Sequence, residues 1–552
     1  MNDEILRRMT MRKQRIKTLV SSLMGVSLIL SGMTGCAASE TGPAIHSSAT
    51  AITTAKSETE NNLTETTENR VEADAMSNIQ EKSPKYIFLF IGDGMSYVQV
   101  NAAQVYLGNN TPGEVKGESL NFTRFPVAGN VTTNDATSFC PDSASTATAL
   151  SCGIKTHSGV IGLEADKLTK PESITEILHN EGLKIGIVST VTINHATPAA
   201  FYSHIASRNE YYPIAMQLAT SGFEYFGGGS VNKATGNDGS YTDAYSIIEK
   251  KGYTIADTKE EILALSADSG MCYAVSPVLQ DSGAMPYSID AKQGDLAFAD
   301  YVETGIRVLD NENGFFMACE SGKIDWSCHA NDAMSTIREV IDFADGIQVA
   351  IDFASEHPDE TLILVTGDHE TGGMTIGYAA TGYNTAFDIL SKQKMSYVAF
   401  DELVGQMKEE NPELTLQDML PVIKENFGLL APDDVDASLE ENIAFVMTDY
   451  EYAKLEAAFA ESTAMAAEEE REQTQEAALL YGGYDPLSVT VTHILNNKAG
   501  IGWTSYSHTG TPVSVYAMGT QAELFGGSYD NTDVFYKLLT VMGLNDEILE
   551  AA

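Results

Sequence analysis

Asp325 and His329 stand four residues apart in Glu320-Ser-Gly-Lys-Ile-Asp325-Trp-Ser-Cys-His329. One helical turn would set that carboxylate and imidazole on a single face. The pair suits Zn²⁺ or a similar divalent ion. Asp368-His369-Glu370 follows an apolar run directly, and Ser507-His508-Thr509-Gly510 precedes another. Asp93 lies between Gly92 and Gly94, where a further apolar run stops. Pro141-Asp142-Ser143-Ala144 leads into Ser145-Thr-Ala-Thr-Ala-Leu150, which reads as a helix start. A Ser in that place is an ordinary cap, yet it also sets backbone N–H groups and the helix dipole beside an anion held on its hydroxyl. Each group alone fits a structural Asp, His or cap. Their joint placement at strand ends of one chain points to a shared site.

Strands must carry these groups. Lys85-Tyr-Ile-Phe-Leu-Phe-Ile91 is continuously apolar, the pattern of a strand buried on both faces of a parallel sheet. Similar runs cover 184–190, 314–320, 361–366 and 513–518, and helical patterns cover 96–107, 174–180, 332–356 and 532–542. The alternation predicts an α/β fold, a central and largely parallel sheet flanked by helices. Ligands bind at strand ends in such sheets. Residues 376–500 break the rhythm with helical patterns over 401–410, 416–426 and 449–480, the last containing the charge run Glu468-Glu469-Glu470-Arg471-Glu472. They predict a mostly helical insertion or cap within a core of 85–375 and 501–552.

The 552 residues include 33 basic and 77 acidic ones, for a net charge of −44. That acidity excludes a nucleic-acid partner and electrostatic docking on anionic lipid. Residues 1–35 have the form of an export signal. Arg7, Arg8, Arg12, Lys13, Arg15 and Lys17 precede the apolar stretch 19–30, which is short for a permanent span. Met33-Thr34-Gly35-Cys36 resembles a bacterial lipobox, with Cys36 as the lipidated new N-terminus. The expectation is an extracytoplasmic protein that meets the membrane only through that anchor. Residues 36–84, rich in Ser, Thr and Glu and free of aromatic side chains, read as a disordered tether. Six cysteines without a CxxC argue against a disulfide framework and a zinc knuckle.

Taken together, the motifs resemble those of the alkaline phosphatase family. They are Ile91-Gly-Asp93-Gly-Met95, Pro141-Asp142-Ser143-Ala144, His195-Ala-Thr197-Pro-Ala199, Ser207-Arg208, Glu320 to Asp325 with His329, Gly367-Asp368-His369-Glu370 and His508-Thr-Gly510. They run in the family's order from residue 86 to about residue 545. The resemblance implies hydrolysis of phosphate monoesters with two Zn²⁺ and one Mg²⁺. Ser143 would be the nucleophile and form a phosphoserine intermediate. Asp325, His329 and His508 would hold one zinc, and Asp93, Asp368 and His369 the other. Asp93, Thr197 and Glu320 would hold the magnesium, with His195 among the metal-site residues. Arg208 would clamp two phosphoryl oxygens, and Asp142 would orient Arg208. Family members are often homodimers, an assembly the residues leave open.

Physical reasoning supports these roles. Phosphoryl transfer depends on positioning and charge neutralisation. Two metals stabilise both the attacking and the leaving oxygen. A Ser hydroxyl needs a base or a metal, and no His-Asp relay is evident beside Ser143. A planar guanidinium matches phosphate bidentately. Bound cations let an acidic chain attract an anion. Two positions depart from part of the family: His195 stands where some members have Asp, and Trp326 where some have Lys. The expectation is weaker magnesium retention and looser phosphate binding.

Other chemistries on the same fold fit less well. A sulfatase would need a C/S-x-P-x-R setting, which Cys140-Pro141-Asp142-Ser143 lacks. Phosphodiesterases of the superfamily commonly use Thr and lack the Arg clamp. A non-enzymatic phosphate-binding lipoprotein would have lost Ser143 or a zinc ligand.

Overall fold

The computed structural model describes residues 83–109, 115–464 and 474–545. The export signal, Cys36, nearly all of the tether and the charge run 468–472 lie outside these residues. Among the described residues no helix is long and apolar enough to cross a membrane.

β1 (Tyr86–Gly92) is buried along its whole length. A strand covered on both faces has no polar side, so its apolar run is continuous. Its side chains still alternate between faces. Tyr86, Phe88 and Phe90 join one apolar cluster with Phe298, Phe315 and Phe343. Ile87, Leu89 and Ile91 join the other with Leu150, Leu178 and Phe535.

The remaining strands are β2 (Val127–Thr132), β3 (Lys184–Ser189), β4 (Tyr225–Gly228), β5 (Thr254–Ala256), β6 (Cys272–Val275), β7 (Phe315–Ser321), β8 (Thr361–Gly367), β9 (Glu370–Thr371), β10 (Thr375–Ile376), β11 (Ile501–Gly502), β12 (His508–Thr509), β13 (Val513–Gly519) and β14 (Gly527–Asp530). Ten of them form one sheet in the order β14-β2-β13-β8-β1-β7-β3-β4-β6-β5. β13 runs antiparallel to β2 and β8. Every other pairing in that sheet is parallel. The expected α/β class is therefore observed. The five expected strands are β1, β3, β7, β8 and β13. The four expected helices are Tyr97–Gly108, Ile174–Asn180, Ala333–Glu356 and Thr532–Met542.

Residues 376–500 hold the helices Tyr397–Glu410, Leu416–Phe427, Asp449–Ala464, Gln475–Tyr481 and Pro486–Ala499. The pattern over 449–480 is described as two helices. The second has its own cap, the Thr474 side chain accepting from the Ala477 N–H. Phe400, Ile423, Leu455, Leu487 and Leu495 from this region join the cluster of Phe88 and Phe90. The region thus shares the core on that face of the sheet. Cys140, Cys152, Cys272, Cys319 and Cys328 are free thiols.

Register positions the chemistry. Ile91 pairs with Glu320 on one side and Thr366 on the other, and Gly92 pairs with Ser321 and Gly367. Adjacent strands lie about 4.8 Å apart. Asp93, Glu320 and Asp368 therefore emerge side by side at the carboxyl edge of three central strands.

Candidate active site

Ser143 begins the helix Ser143–Cys152, which is buried throughout. Its Ser/Thr-rich sequence is a modest helix former, so burial and capping hold it. Asp142 caps it by accepting from the Ser145 N–H at 3.1 Å. Ser143 Oγ lies 3.1 Å from His369 Nε2 and 3.4 Å from Asp93 Oδ1. His369 Nε2 lies 3.2 Å from Asp93 Oδ1 and 3.3 Å from Asp368 Oδ2. Gly94 permits this crowding. Its φ is +70°, and a Cβ there would stand 2.8 Å from the Asp325 Cα. Its N–H donates to Asp368 Oδ1 at 3.1 Å.

The helix Lys323–His329 brings Asp325 Oδ2 within 3.4 Å of His329 Nε2, as the four-residue spacing predicts. His508 arrives from far along the chain on β12, whose antiparallel pairing with β9 sets it opposite Thr371. His508 Nε2 is 3.0 Å from His329 Nε2 and 3.6 Å from Asp325 Oδ1.

Outer hydrogen bonds fix the rings. His329 Nδ1 donates to the Tyr506 carbonyl at 2.6 Å, and His508 Nδ1 to the Pro141 carbonyl at 2.5 Å. Thr371 Oγ1 donates to Asp325 Oδ1 at 2.5 Å and accepts from His369 Nδ1 at 3.2 Å. Each ring therefore turns Nε2 inward. Two inward nitrogens 3.0 Å apart require a cation or a proton between them. Burial opposes a proton on His329, but the Asp325 charge outweighs it and takes His329 up to about 9. Burial and the neighbouring imidazolium charge push His508 the other way.

The carboxylates have a complementary problem. Burial, then the charges of Asp368, Asp325 and Glu320, hold Asp93 well above the usual range. Burial and the Asp325 charge take Asp368 to about 7. Burial takes Glu320 to about 8, with the Asp368 charge adding and the Ser189 hydroxyl opposing. Burial works likewise against Asp325, but His329, His508 and His369 outweigh it and keep that carboxyl well below the usual range. Buried acids that resist ionising together are a setting for cations.

Donor atoms of Asp93, Asp368 and His369 lie within 4.8 Å of one another, as do those of Asp325, His369 and His508. Asp93, His195 and Glu320 form a third such group. There, Glu320 Oε1 and His195 Nδ1 are buried without a hydrogen bond. Thr197 Oγ1 donates to Asp93 Oδ2 at 3.5 Å. These donor sets fit divalent metals: all three mix imidazole with carboxylate, and the Thr197 hydroxyl adds an oxygen beside the third.

Arg208 supplies the fixed positive charge. Nη1 donates to Asp142 Oδ2 at 2.9 Å and Nη2 to His195 Nε2 at 3.2 Å. Burial opposes its charge, but Asp142 more than restores it. A cavity of about 420 Å³ joins Ser143, Arg208, His195, Asp325, His329 and His508. Every site residue expected from the sequence lies in this cluster except Cys36, which is outside the described residues. Glu370 of the Asp-His-Glu motif turns elsewhere. It accepts from Gln99 Nε2 at 2.8 Å and from the Thr509 hydroxyl, tying β9 to β12. Sequence reasoning missed Thr371, Thr146 and Ser189. Thr146 Oγ1 donates to Asp368 Oδ2 at 2.9 Å, and the Ser189 hydroxyl donates to Glu320. Their available signal was position: one turn after Ser143, or at a strand end.

The family model described as alkaline phosphatase matches residues 84–544. The chain is 29% identical over 472 residues to alkaline phosphatase 3 of Bacillus subtilis, covering 84% of this chain and 90% of that relative. It is similar to the solved cold-active alkaline phosphatase of the psychrophile Shewanella sp. (TM-score 0.65, 25% identity, 83% of this chain and 99% of that one). A variant of the TAB5 alkaline phosphatase, with one His replaced by Asp and Mg bound in its M3 site, is 26% identical at a TM-score of 0.55, over 84% of this chain and 99% of that one.

Proposed function

The chain belongs to the alkaline phosphatase family of hydrolases, whose fold and family imply metal-dependent phosphomonoester hydrolysis, and on that premise we propose that Ser143 is the nucleophile. Asp325, His329 and His508 would hold one Zn²⁺, and Asp93, Asp368 and His369 a second. Asp93, Thr197 and Glu320, beside His195, would hold Mg²⁺. Bound there, the ions supply positive charge beside the reacting oxygens.

The chain's own groups do the rest. His369 and Asp93 aim Ser143 Oγ from 3.1 and 3.4 Å. Arg208, held by Asp142 on one nitrogen, offers a planar fork to two phosphoryl oxygens. Ser143 Oγ bonds to phosphorus as the bond to the ester oxygen breaks, and the alcohol leaves with a proton. Water then cleaves the phosphoserine and releases inorganic phosphate. The observation that carries this reading is that Ser143, Arg208, His195 and the donors Asp325, His329 and His508 line one cavity, with Asp93 and His369 directly behind the Ser143 hydroxyl.

The test compares an aryl monoester with the corresponding diester on the metal-loaded enzyme. A diester cannot offer the full phosphoryl charge to Arg208 and the cations. The monoester is expected to be favoured in kcat/KM by about 10² or more. A diester preference would overturn the reading. The signal-like residues 1–35 and Cys36 support export and lipid anchoring, with residues 36–84 as the tether.

His195 places an imidazole where a carboxylate would add charge to the Asp93–Glu320 group. His195→Asp is expected to tighten Mg²⁺ binding to the zinc-loaded protein by about tenfold in calorimetry. An unchanged affinity would remove His195 from the magnesium environment.

A further inference from the structure

The cavity has a half that phosphate chemistry does not use. Beyond Ser143, Arg208 and the metal donors it is lined by Trp326, Tyr397, Tyr484 and Asp281. Trp326 follows Asp325 on the helix that bears His329, and its ring meets His195 edge-on at 5.7 Å. Tyr397 and Tyr484 come from the 376–500 region, with their rings edge to face at 5.6 Å. The Tyr397 hydroxyl lies 3.3 Å from that of Tyr287, which fixes the ring from behind.

Asp281 is held by an unusual backbone. Its φ is +44° and that of Ser282 is +63°, two successive L residues in the left-handed region. The angles belong to a tight turn, in which the Gln280 N–H donates to the Ala284 carbonyl at 2.9 Å and the Ala284 N–H to the Asp281 carbonyl at 3.3 Å. The turn presents a carboxylate at the cavity wall, with the side chain 25% exposed.

The same cluster already accommodates an ammonium. Lys323 Nζ lies 3.6 Å from the Tyr287 ring centroid and 4.9 Å from that of Trp326. It stands 3.6 Å from Asp281 Oδ2 and is buried without a hydrogen bond. Burial opposes that charge, and the aromatic faces with the carboxylates of Asp281, Glu339 and Asp290 favour it. Rings alone would accept any flat leaving group. The Asp281 carboxylate disfavours an anionic one and favours a cationic one.

We propose that Trp326, Tyr397, Tyr484 and Asp281 form a leaving-group subsite for organic cations. The favoured substrates are then phosphate monoesters of short amino alcohols. The proposal rests on the phosphomonoesterase reading of the adjoining site. In the overall reaction the ester P–O bond breaks, the amino alcohol takes a proton from water, and the water oxygen ends on inorganic phosphate. The cation rests against the rings and Asp281 throughout.

The test compares phosphocholine with its uncharged isostere, 3,3-dimethylbutyl phosphate, on the metal-loaded enzyme. The two differ in one charge and scarcely in shape. Phosphocholine is expected to have about tenfold higher kcat/KM. Asp281→Asn keeps a residue that tolerates positive φ, and it should bring the ratio near one; Tyr484→Leu should lower it. Independently of any variant, choline should inhibit competitively at about tenfold lower concentration than 3,3-dimethylbutanol. Equal kcat/KM and equal inhibition in the wild type, with both esters turned over, would overturn the subsite and leave the phosphatase reading standing. Turnover of neither these esters nor an aryl phosphate would overturn the phosphatase reading, and the subsite with it.

Discussion

Ser143→Ala is expected to lower kcat/KM for an aryl phosphate by on the order of 10⁴. Metal content and Tm should stay near wild type. The hydroxyl lines the cavity and lies 3.1 Å from His369 Nε2 and 3.4 Å from Asp93 Oδ1. Alanine at the first helical position keeps the helix, because the cap belongs to Asp142. Residual turnover would come from direct attack by water at a phosphate still held by Arg208 and the cations. Acid quenching during turnover should trap a phosphorylated wild-type protein and no phosphorylated variant. Ser145→Ala is the contrast. Its hydroxyl donates to Asp135 and Asp142 at 2.9 Å each, so its loss should lower Tm and loosen Arg208 while the phosphoenzyme still forms. A Ser143→Ala enzyme within tenfold of wild type would remove Ser143 as nucleophile.

Much of this site is legible in the chain because its groups follow long apolar strands. β1, β7 and β8 are buried on both faces, so their runs are unbroken and end where Asp93, Glu320 and Asp368 begin. Asp325 and His329 are readable from helical spacing alone. Less legible are features set by tertiary pairing. β9 and β12 have two residues each, too few for any pattern, yet their pairing brings His508 to His369. Thr371 matters through the two groups its hydroxyl joins, and nothing in its type announces that. β4, β5 and β6 have three or four residues and borrow their order from the strands beside them. Tyr397 and Tyr484 sit in a region whose helical periodicity predicts an insertion or cap but not a cavity wall. Their placement follows from a small cluster in which Tyr397 packs with Tyr287 and Ala330, and Tyr484 and Trp326 lie against it.

Removing the metals should abolish turnover, by on the order of 10⁴ or more, and lower Tm by an amount that grows from pH 6 to pH 9. The sign follows from the site's acids. In the folded, metal-free protein Asp368 titrates near about 7 and Glu320 near about 8, and Asp93 is also raised. Unfolded carboxyls titrate near about 4. The folded state therefore holds protons that the unfolded state has lost. Stability from these groups is complete below the unfolded value and disappears as pH rises through the folded values. His329, raised to about 9, acts in the same direction above an unfolded value of about 6.5. The lowered His195, His369 and His508 act the other way only up to that unfolded value, and leave the loss at higher pH to the raised groups. Divalent cations displace those protons, so the loaded protein escapes this loss, and its metal affinity rises over the same range. Asp342, near about 8, and Asp401, near about 7, have the same sign but lie outside the metal groups. They act in loaded and stripped protein alike and cancel in the difference. The gap in Tm between the two forms is expected to be roughly 5 °C or more at pH 9. It should be distinctly smaller at pH 6, with turnover restored when Zn²⁺ and Mg²⁺ are returned. An equal gap at both pH values would mean that these carboxylates do not face the cations. Undiminished turnover in chelator would mean that the chemistry does not depend on them.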